Sequence, residues 1–153
     1  AYHHSALFGS SMTYSGCNIE DSINLFRNSY GVPYNKIVIG AAFYGRMSTL
    51  NKAGGTIVKD GLFFGDSIRY NVIVSDYLSK STVTVSWDSK AKAPYLFDSE
   101  TNTFISYDNP ESIKLKCEYV ISKGVAGIFW WDYGSDSTGD LIQAVNEKLD
   151  ILQ

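Results

Sequence analysis

The sequence predicts an α/β fold in which helices alternate with buried parallel strands. Two continuous apolar runs, at 37–44 and 125–131, have the length expected of strands that are covered on both faces. A segment with helical spacing of apolar residues precedes each run, at 19–30 and at 110–123. This alternation is typical of a parallel sheet with right-handed crossovers. Because two strands make neither an open doubly wound sheet nor a barrel, we expect the chain to be part of a larger α/β protein.

Composition indicates a globular protein and excludes several functional classes. Of the 153 residues 44% are hydrophobic and 19% charged, with a net charge of −3, which argues against binding to nucleic acid or to an anionic membrane surface. No apolar run reaches the roughly 18 residues of a transmembrane helix. The 11 Tyr, 8 Phe and 3 Trp residues fit either a well-filled core or a surface for a flat ligand such as a carbohydrate.

The first 36 residues predict a loop followed by a helix. Residues 1–18 have no periodicity, and the adjacent His3 and His4 have no third metal ligand near them, so we expect them to pack within the loop. In the helix at 19–30, Asn18 is a suitable N-cap and Gly31 a suitable C-terminal residue. Its predicted apolar face contains Ile19, Ile23, Phe26 and Tyr30.

Residues 47–107 predict an inserted α+β module. Glycines recur, and segments at 82–87, 95–97 and 103–107 alternate between apolar and polar residues as antiparallel strands do. A helix is predicted at about 68–78. A structureless loop of this length would be unusual in a compact domain, so we expect the segment to fold as a unit.

Two helices are predicted in the C-terminal third, around the second strand. Asn109 or Asp108 caps the first, Pro110 suits its first turn, Gly124 ends it, and one face carries Ile113, Cys117, Val120 and Ile121. Both Cys17 and Cys117 are expected to be ordinary thiols. The last helix, at about 139–150, presents Leu141, Val145, Leu149 and Leu152, and Ser137 with Asp140 resembles a capping box.

Polar and aromatic residues gather where each buried strand ends. The first strand runs into Tyr44 and Arg46, and the second ends in Trp131 and Asp132. The carboxyl ends of parallel strands are where α/β proteins bind their ligands. These four residues are therefore the candidate site.

Four ordered motifs resemble the C-terminal part of glycoside hydrolase family 18, the chitinases and their relatives. They are YHHSALF at 2–8, GVPYNKIVIGAAFYGR at 31–46, ISYDNPESI at 105–113 and GVAGIFWWD at 124–132. The resemblance implies a C-terminal fragment of a (β/α)8 TIM barrel, with strands seven and eight at 37–44 and 125–131. It implies that 1–46 and 108–153 form the partial barrel and that 47–107 is the chitinase insertion domain. A barrel takes about 250 residues, so six strands would be missing.

The resemblance also implies substrate-assisted, retaining hydrolysis of β-1,4 bonds in chitin or related N-acetylglucosamine polymers. In this family a glutamic acid at the end of a D-x-x-D-x-D-x-E motif protonates the leaving oxygen. That motif does not occur in this chain, where Asp132, Asp136 and Asp140 form a D-x-x-x-D series instead. We therefore expect no catalytic residue, metal or cofactor in the chain itself.

By the same resemblance, four residues match the family's substrate cleft. Trp131 matches the tryptophan on which a sugar ring stacks, and the alternative is an aromatic residue of the core. Its neighbour Trp130 should face the opposite side of the strand and pack between the strand and the helices. Tyr44 and Arg46 match cleft residues that bind sugar oxygens, and the alternative for each is a purely structural role. Asp132 occupies a position where many members of the family carry Glu. We expect it either to lie at the rim of the cleft or to be a solvated or salt-bridged carboxylate.

The residues leave three alternatives open. The parent protein is a chitinase-type hydrolase, a non-catalytic chitinase-like glycan-binding protein, or a glycosidase that acts on a cell-wall or spore polymer. An extracellular or cell-surface location is expected for the parent. Open strand edges and an uncovered apolar face predict self-association of this chain.

Overall fold

In a computed structural model, residues 1–55, 57–59 and 66–149 are described, and these contain four helices and eight strands. The helices are α1 (Ile19–Tyr30), α2 (Tyr70–Val72), α3 (Pro110–Lys123) and α4 (Asp140–Leu149). The strands are β1 (Val38–Ala42), β2 (Tyr44–Leu50), β3 (Ile57–Lys59), β4 (Asp66–Arg69), β5 (Val83–Asp88), β6 (Ala93–Asp98), β7 (Thr103–Ser106) and β8 (Gly127–Trp131).

The two predicted buried runs form one parallel pair, β1 and β8, in which Ala42 lies opposite Trp131. The prediction of strands covered on both faces is wrong for this chain. Ile39 is 4% exposed, but its neighbour Val38 is 49% exposed, and on β8 Phe129 is 56% exposed. Helix α3 packs against both strands on one side, and no described element covers the other side.

The second sheet has six antiparallel strands in the order β3-β2-β7-β6-β5, with β4 also paired to β2. The strands predicted at 82–87, 95–97 and 103–107 are confirmed as β5, β6 and β7. Strand β2 begins at Tyr44, so the predicted domain boundary at 47 falls inside it.

The helix predicted at 68–78 begins later than expected. Residues Ile68 and Arg69 belong to β4, where Ile68 pairs with Gly45 of β2. The helical segment starts at Tyr70 and continues from Ile73 to Tyr77 as a wider π-type turn, closed by Leu78 N donating to Ile73 O at 3.1 Å. Pairing with a strand distant in sequence outweighs the local helical spacing of apolar residues.

The predicted helices α1 and α3 are confirmed, together with their caps. Asn18 accepts from Asp21 N and Asn109 from Ser112 N, and Gly31 and Gly124 adopt the left-handed conformation after the last turn. The predicted apolar faces are only partly buried, because three of their members are at least 49% exposed: Phe26, Tyr30 and Ile121.

Helix α4 has a different cap from the predicted pair Ser137 and Asp140. The Asp136 carboxylate accepts from Leu141 N at 3.0 Å and from Ile142 N at 2.9 Å, and it thereby caps the helix. One carboxylate oxygen, Oδ2, accepts both bonds, and its negative charge suits the positive end of the helix dipole. The expected apolar residue Leu152 lies outside the described residues.

Two large apolar cores hold these elements together, beside a small cluster of Ala6, Ala91 and Ala93. One lies where the parallel pair meets the second sheet and helices α3 and α4, and it contains fully buried Phe43, Ile73, Ile105, Ile113 and Leu141. The other lies under the N-terminal loop and α1, with Leu7, Ile23, Ile39, Tyr119 and Val125. None of the helices in the described part of the chain combines the length and apolarity needed to cross a membrane.

Candidate functional site

The carboxyl ends of β1 and β8 bring the predicted site residues together. Phe43 N donates to Trp131 O at 2.8 Å, so the two strand ends stay in register up to the point where Tyr44 enters the second sheet. An open depression of about 280 Å³ lies there. Its lining contains all four predicted residues and three others: Tyr44, Arg46, Ser67, Arg69, Trp131, Asp132 and Ser135.

The two tryptophans of β8 face opposite sides of the strand. Trp130 stacks on Phe43, with ring centroids 5.8 Å apart and planes inclined by 13°, and packs against the core. Trp131 is 70% exposed and lines the depression. Alternation along the strand thus assigns one ring to packing and presents the other, on a rigid element, to solvent.

The wall of the depression is one face of the β2–β4 pair. Tyr44 lies directly opposite Arg69, and Arg46 lies opposite Ser67. Residues opposite each other in an antiparallel pair share a face, so all four polar side chains lie on the same side. The intervening Gly45 faces the core, where an added Cβ would lie 2.8 Å from Ile73 Cδ1 and 3.0 Å from Ser106 O.

Two side chains, Arg46 and His4, contact the Tyr44 ring. The Arg46 guanidinium carbon lies 5.3 Å from the ring centroid, and the His4 ring lies 5.3 Å away with the planes inclined by 38°. His4 Nδ1 is 3.2 Å from Ser106 Oγ, and its Nε2 is buried with no partner in the described chain. Burial lowers the pKa of His4 to about 4, so the imidazole beside Tyr44 is neutral at neutral pH.

Asp132 contributes an acceptor at the floor of the depression. It is half-buried, and its Oδ1 is buried with no hydrogen-bond partner among the described residues. The peptide bond between Trp131 and Asp132 is cis. Ser135 N donates to Asp132 O at 3.1 Å, which closes a tight turn beneath the carboxylate. As a carboxylate in the lining of the depression, Asp132 can accept a hydrogen bond from a hydroxyl or amide donor of a ligand.

A fully buried ion pair supports the strand end below Tyr44. Asp108 and Lys116 are both 0% exposed, and Lys116 Nζ donates to Asp108 Oδ1 at 2.6 Å, to Asp108 Oδ2 at 2.5 Å and to Ser5 Oγ at 2.7 Å. Asp108 also accepts from Ser112 Oγ at 2.6 Å, from Ser5 Oγ at 2.7 Å and from Ala42 N at 3.3 Å. The pair therefore links the N-terminal loop, the end of β1 and the start of α3 through hydrogen bonds to the same two side chains.

The surroundings of Asp108 favour its charged form. Burial alone would raise the pKa of Asp108, but the Lys116 charge and the hydrogen bonds from Lys116, Ser112 and Ser5 outweigh it and hold the pKa below its usual value. Burial lowers the pKa of Lys116, and the Asp108 charge opposes that shift. Satisfied donors and acceptors on both groups make such a buried pair tolerable.

The N-terminal loop packs against the second sheet, and His3 is buried there, in agreement with the packing role predicted for it. His3 is 4% exposed, and its Nε2 lies 3.3 Å from Asp88 Oδ2, while Leu7 N donates to Ala91 O at 3.0 Å. A second, larger cavity of about 560 Å³ lies on the uncovered side of β1, beside α1 and this loop. Across the described ranges no three His, Cys, Asp or Glu side chains are grouped as metal ligands.

Sequence reasoning missed Ser67, Arg69 and Ser135 in the depression. Both Ser67 and Arg69 belong to β4, a strand that was not predicted: Arg69 fell within the helix predicted at 68–78, and Ser67 lay just before it. Their approach to Tyr44 therefore had no local signal. The buried role of Lys116 was missed as well, although its spacing of eight residues from Asp108 places it two turns along α3.

The chain matches known proteins over nearly its whole length. The family model of glycosyl hydrolases family 18 matches residues 1–136. Endochitinase 1 of Metarhizium robertsii is 38% identical over 136 residues, which are 86% of this chain and 31% of the relative. Chitinase A1 of Niallia circulans is 34% identical over 116 residues, covering 69% of this chain and 16% of the relative.

Solved structures of the family superpose on the chain. A family 18 N-acetylglucosaminidase from Paenibacillus barengoltzii matches with a TM-score of 0.82 and 36% identity, over 97% of this chain and 44% of that one. A class V chitinase from Nicotiana tobaccum matches with a TM-score of 0.84 and 26% identity, over 97% and 43%. The chain spans less than half of each of these relatives. It belongs to glycoside hydrolase family 18.

Proposed function

We propose that this chain is the C-terminal part of a (β/α)8 barrel, in which β1 and β8 are barrel strands seven and eight. The uncovered side of the β1–β8 pair supports this, because Val38 and Phe129 expose apolar surface that a closed barrel would bury. The antiparallel sheet within 47–107 is the insertion domain in this proposal, and it forms one wall of the substrate cleft.

The proposed activity of the full-length protein is hydrolysis of β-1,4 bonds in chitin or a related N-acetylglucosamine polymer. The observation that carries it is the position of Trp131, 70% exposed at the end of a rigid strand and beside Tyr44, Arg46 and Asp132. Several chitinases are among the relatives, and a mutant of the Nicotiana tobaccum chitinase has been solved in complex with NAG4.

Each of the four residues has a separate part in sugar binding. The face of Trp131 takes the apolar C–H face of a pyranose ring. The Tyr44 hydroxyl donates to a sugar or acetamido oxygen, and the Asp132 carboxylate accepts from a hydroxyl or an amide N–H. Arg46, fixed over the Tyr44 ring, donates to further sugar oxygens.

Bond cleavage is assigned to a residue outside this chain. In the substrate-assisted mechanism of the family, the acetamido group of the sugar attacks the anomeric carbon and an external carboxylic acid protonates the leaving oxygen. The sequence motif that supplies this acid is absent from residues 1–153. We therefore expect the 153-residue chain to release no fluorophore from a chitobiose glycoside, and measurable turnover by the pure chain would refute this assignment.

The binding role is tested in the full-length protein by the variant Trp131→Ala. Covering about 80 Å² of indole surface contributes roughly 2 kcal/mol, so the affinity for an N-acetylglucosamine tetramer should fall about 30-fold. Tyr30→Ala is the matched control, because Tyr30 is 69% exposed on α1 and does not line the depression. Equal affinities of the Trp131 variant and the wild type would overturn the proposal.

Kinetics separate the hydrolase from the alternative of a glycan-binding protein. A hydrolase releases shorter oligomers from the tetramer, and Trp131→Ala lowers kcat/KM. A non-catalytic relative binds the tetramer with the same dependence on Trp131 but leaves it intact. An extracellular or cell-surface location forms part of the proposal, because such polymers lie outside the cell.

A further inference from the structure

The hydroxyl of Tyr44, which the proposed function directs at a sugar oxygen, has no internal partner. The ring is half-buried and contacts Arg46 and His4, but no hydrogen bond from another described residue fixes the hydroxyl. The backbone of Tyr44 is paired in β2, opposite Arg69. Backbone pairing fixes where the side chain starts but leaves its rotamer free to change. The direction of the hydroxyl in the depression therefore depends on what packs against the ring.

His4 contacts the Tyr44 ring without entering the depression. The two ring centroids lie 5.3 Å apart, with the planes inclined by 38°. His4 is not among the residues that line the depression, and it lines the cavity beside α1 instead. It can therefore act on a sugar in the depression only through Tyr44. Aromatic rings at this separation attract each other beyond the area that they bury, so His4 favours one orientation of its partner ring.

The imidazole of His4 is itself held in place. Ser106 Oγ accepts from His4 N at 3.2 Å and lies 3.2 Å from His4 Nδ1, so one hydroxyl fixes both the backbone and the ring. The next residue, Ser5, donates through its hydroxyl to the buried Asp108 at 2.7 Å. Asp108 also accepts from Ala42 N at the end of β1. His4 therefore presents a fixed ring to the strand that carries Tyr44.

The uncharged state of His4 suits this contact. The Arg46 guanidinium carbon lies 5.3 Å from the centroid of the same Tyr44 ring. Because burial lowers the pKa of His4 to about 4, its imidazole is neutral at neutral pH and adds no second cation beside that guanidinium. The Tyr44 ring can thus pack against an imidazole and a guanidinium at the same time.

We propose that His4 is a positioning residue for sugar binding, which holds the Tyr44 ring so that its hydroxyl points at a sugar or acetamido oxygen. This role rests on the proposed function of the cleft and extends the site to the N-terminal loop, which does not line the depression. Without His4 the Tyr44 side chain has more rotamers to choose from, and ordering it on binding opposes the hydrogen bond that it forms. Substitution of His4 should therefore weaken binding only as far as the Tyr44 hydroxyl contributes to it.

A double-mutant cycle between His4 and Tyr44 tests this role in the full-length protein. Calorimetry measures the affinity for the N-acetylglucosamine tetramer in the wild type, His4→Asn, Tyr44→Phe and the double variant. Removing the Tyr44 hydroxyl should weaken binding about five- to tenfold, and His4→Asn should weaken it about three- to tenfold. In the Tyr44→Phe background the same His4 substitution should weaken binding less than about twofold, because the hydroxyl that His4 orients is gone.

Two further variants distinguish the ring contact from general damage to the loop. His4→Phe keeps an aromatic ring against Tyr44, so its affinity should stay within about twofold of the wild type. His3→Asn is the matched control, because the His3 ring packs on Tyr95 instead, with the centroids 5.7 Å apart. The effect of His3→Asn on affinity should be the same in the wild-type and Tyr44→Phe backgrounds.

A crystal structure of the unliganded His4→Asn variant gives a readout that needs no glycan. We expect the Tyr44 side chain to leave its wild-type rotamer or to occupy more than one rotamer. A single, unchanged Tyr44 rotamer would overturn the positioning role. His4→Gln takes the place of His4→Asn in both measurements if the latter does not fold.

The outcomes separate this role of His4 from the proposed function. Additive losses in His4→Asn and Tyr44→Phe, or equal coupling of His3→Asn to Tyr44→Phe, would overturn the positioning role and leave binding of the tetramer to Trp131 unaffected. Failure of the wild type to bind the tetramer would overturn the proposed function. In that case the Tyr44 rotamer in the unliganded variant still decides whether His4 holds the ring.

Discussion

The Asp108–Lys116 pair predicts a large and strongly non-additive effect on stability. In Asp108→Asn, Lys116 stays buried with Ser5 Oγ and a neutral amide as its acceptors, so the variant should lose about 3–5 kcal/mol of unfolding free energy. In Lys116→Met, Asp108 keeps donors from Ser5, Ser112 and Ala42 N, and the loss should be smaller, about 2–3 kcal/mol.

The double variant Asp108→Asn/Lys116→Met contains no buried charge at this point. Its loss should therefore be smaller than the sum of the single losses by about 2–3 kcal/mol. Urea unfolding of the three variants and the wild type, followed by tryptophan fluorescence, measures all four free energies in one double-mutant cycle.

A loss in the double variant that equals the sum of the two single losses within about 0.5 kcal/mol would refute the coupling of these two side chains.

The pH dependence of stability gives a second check. The pKa of Asp108 is lowered in the fold, so its contribution is present above the unfolded value of 3.8 and is lost as the pH falls through the folded value. Asp108→Asn should lack this acid-dependent loss.

The other predictions concern His4, Gly45 and the uncovered face. The pKa of His4 is about 4 in the fold and 6.5 in the unfolded chain, so wild-type stability should fall by roughly 3 kcal/mol between pH 6.5 and 4, and unfolding of His4→Gln over that range should show a shallower loss. Gly45→Ala should cost about 1–3 kcal/mol in thermal or urea unfolding, since its Cβ would lie 2.8 Å from Ile73 Cδ1 in the filled core, and an unchanged midpoint would contradict that packing. The 153-residue chain should associate through the uncovered side of β1 and β8, and a sedimentation mass of one chain across micromolar concentrations would count against this.

Local signals predicted the helices because their causes are local. The cap at Asn18, the cap at Asn109 and the left-handed Gly31 and Gly124 each act within one turn of the chain. The start of the helix after β4 was predicted wrongly, because the partner of Ile68 is Gly45 and that pairing has no local sequence signal.

The candidate site was predictable to the extent that it lies at strand ends. Tyr44 and Trp131 follow apolar runs, so their positions at one edge could be inferred from the sequence, and both line the same depression. Arg69 joins them only through the register of β2 with β4, which is set over a long separation in sequence. Burial on both faces of the parallel strands was predicted wrongly, because apolar runs specify that a strand has apolar faces but not what covers them.

The most direct measurement is a crystal structure of the full-length protein with an N-acetylglucosamine tetramer. We predict one pyranose ring lying flat on the exposed face of Trp131, with sugar oxygens within hydrogen-bond distance of Tyr44 and Asp132. A tetramer bound elsewhere, for example in the apolar cavity beside α1, with Trp131 still uncovered, would contradict the assignment of this depression as the sugar-binding cleft.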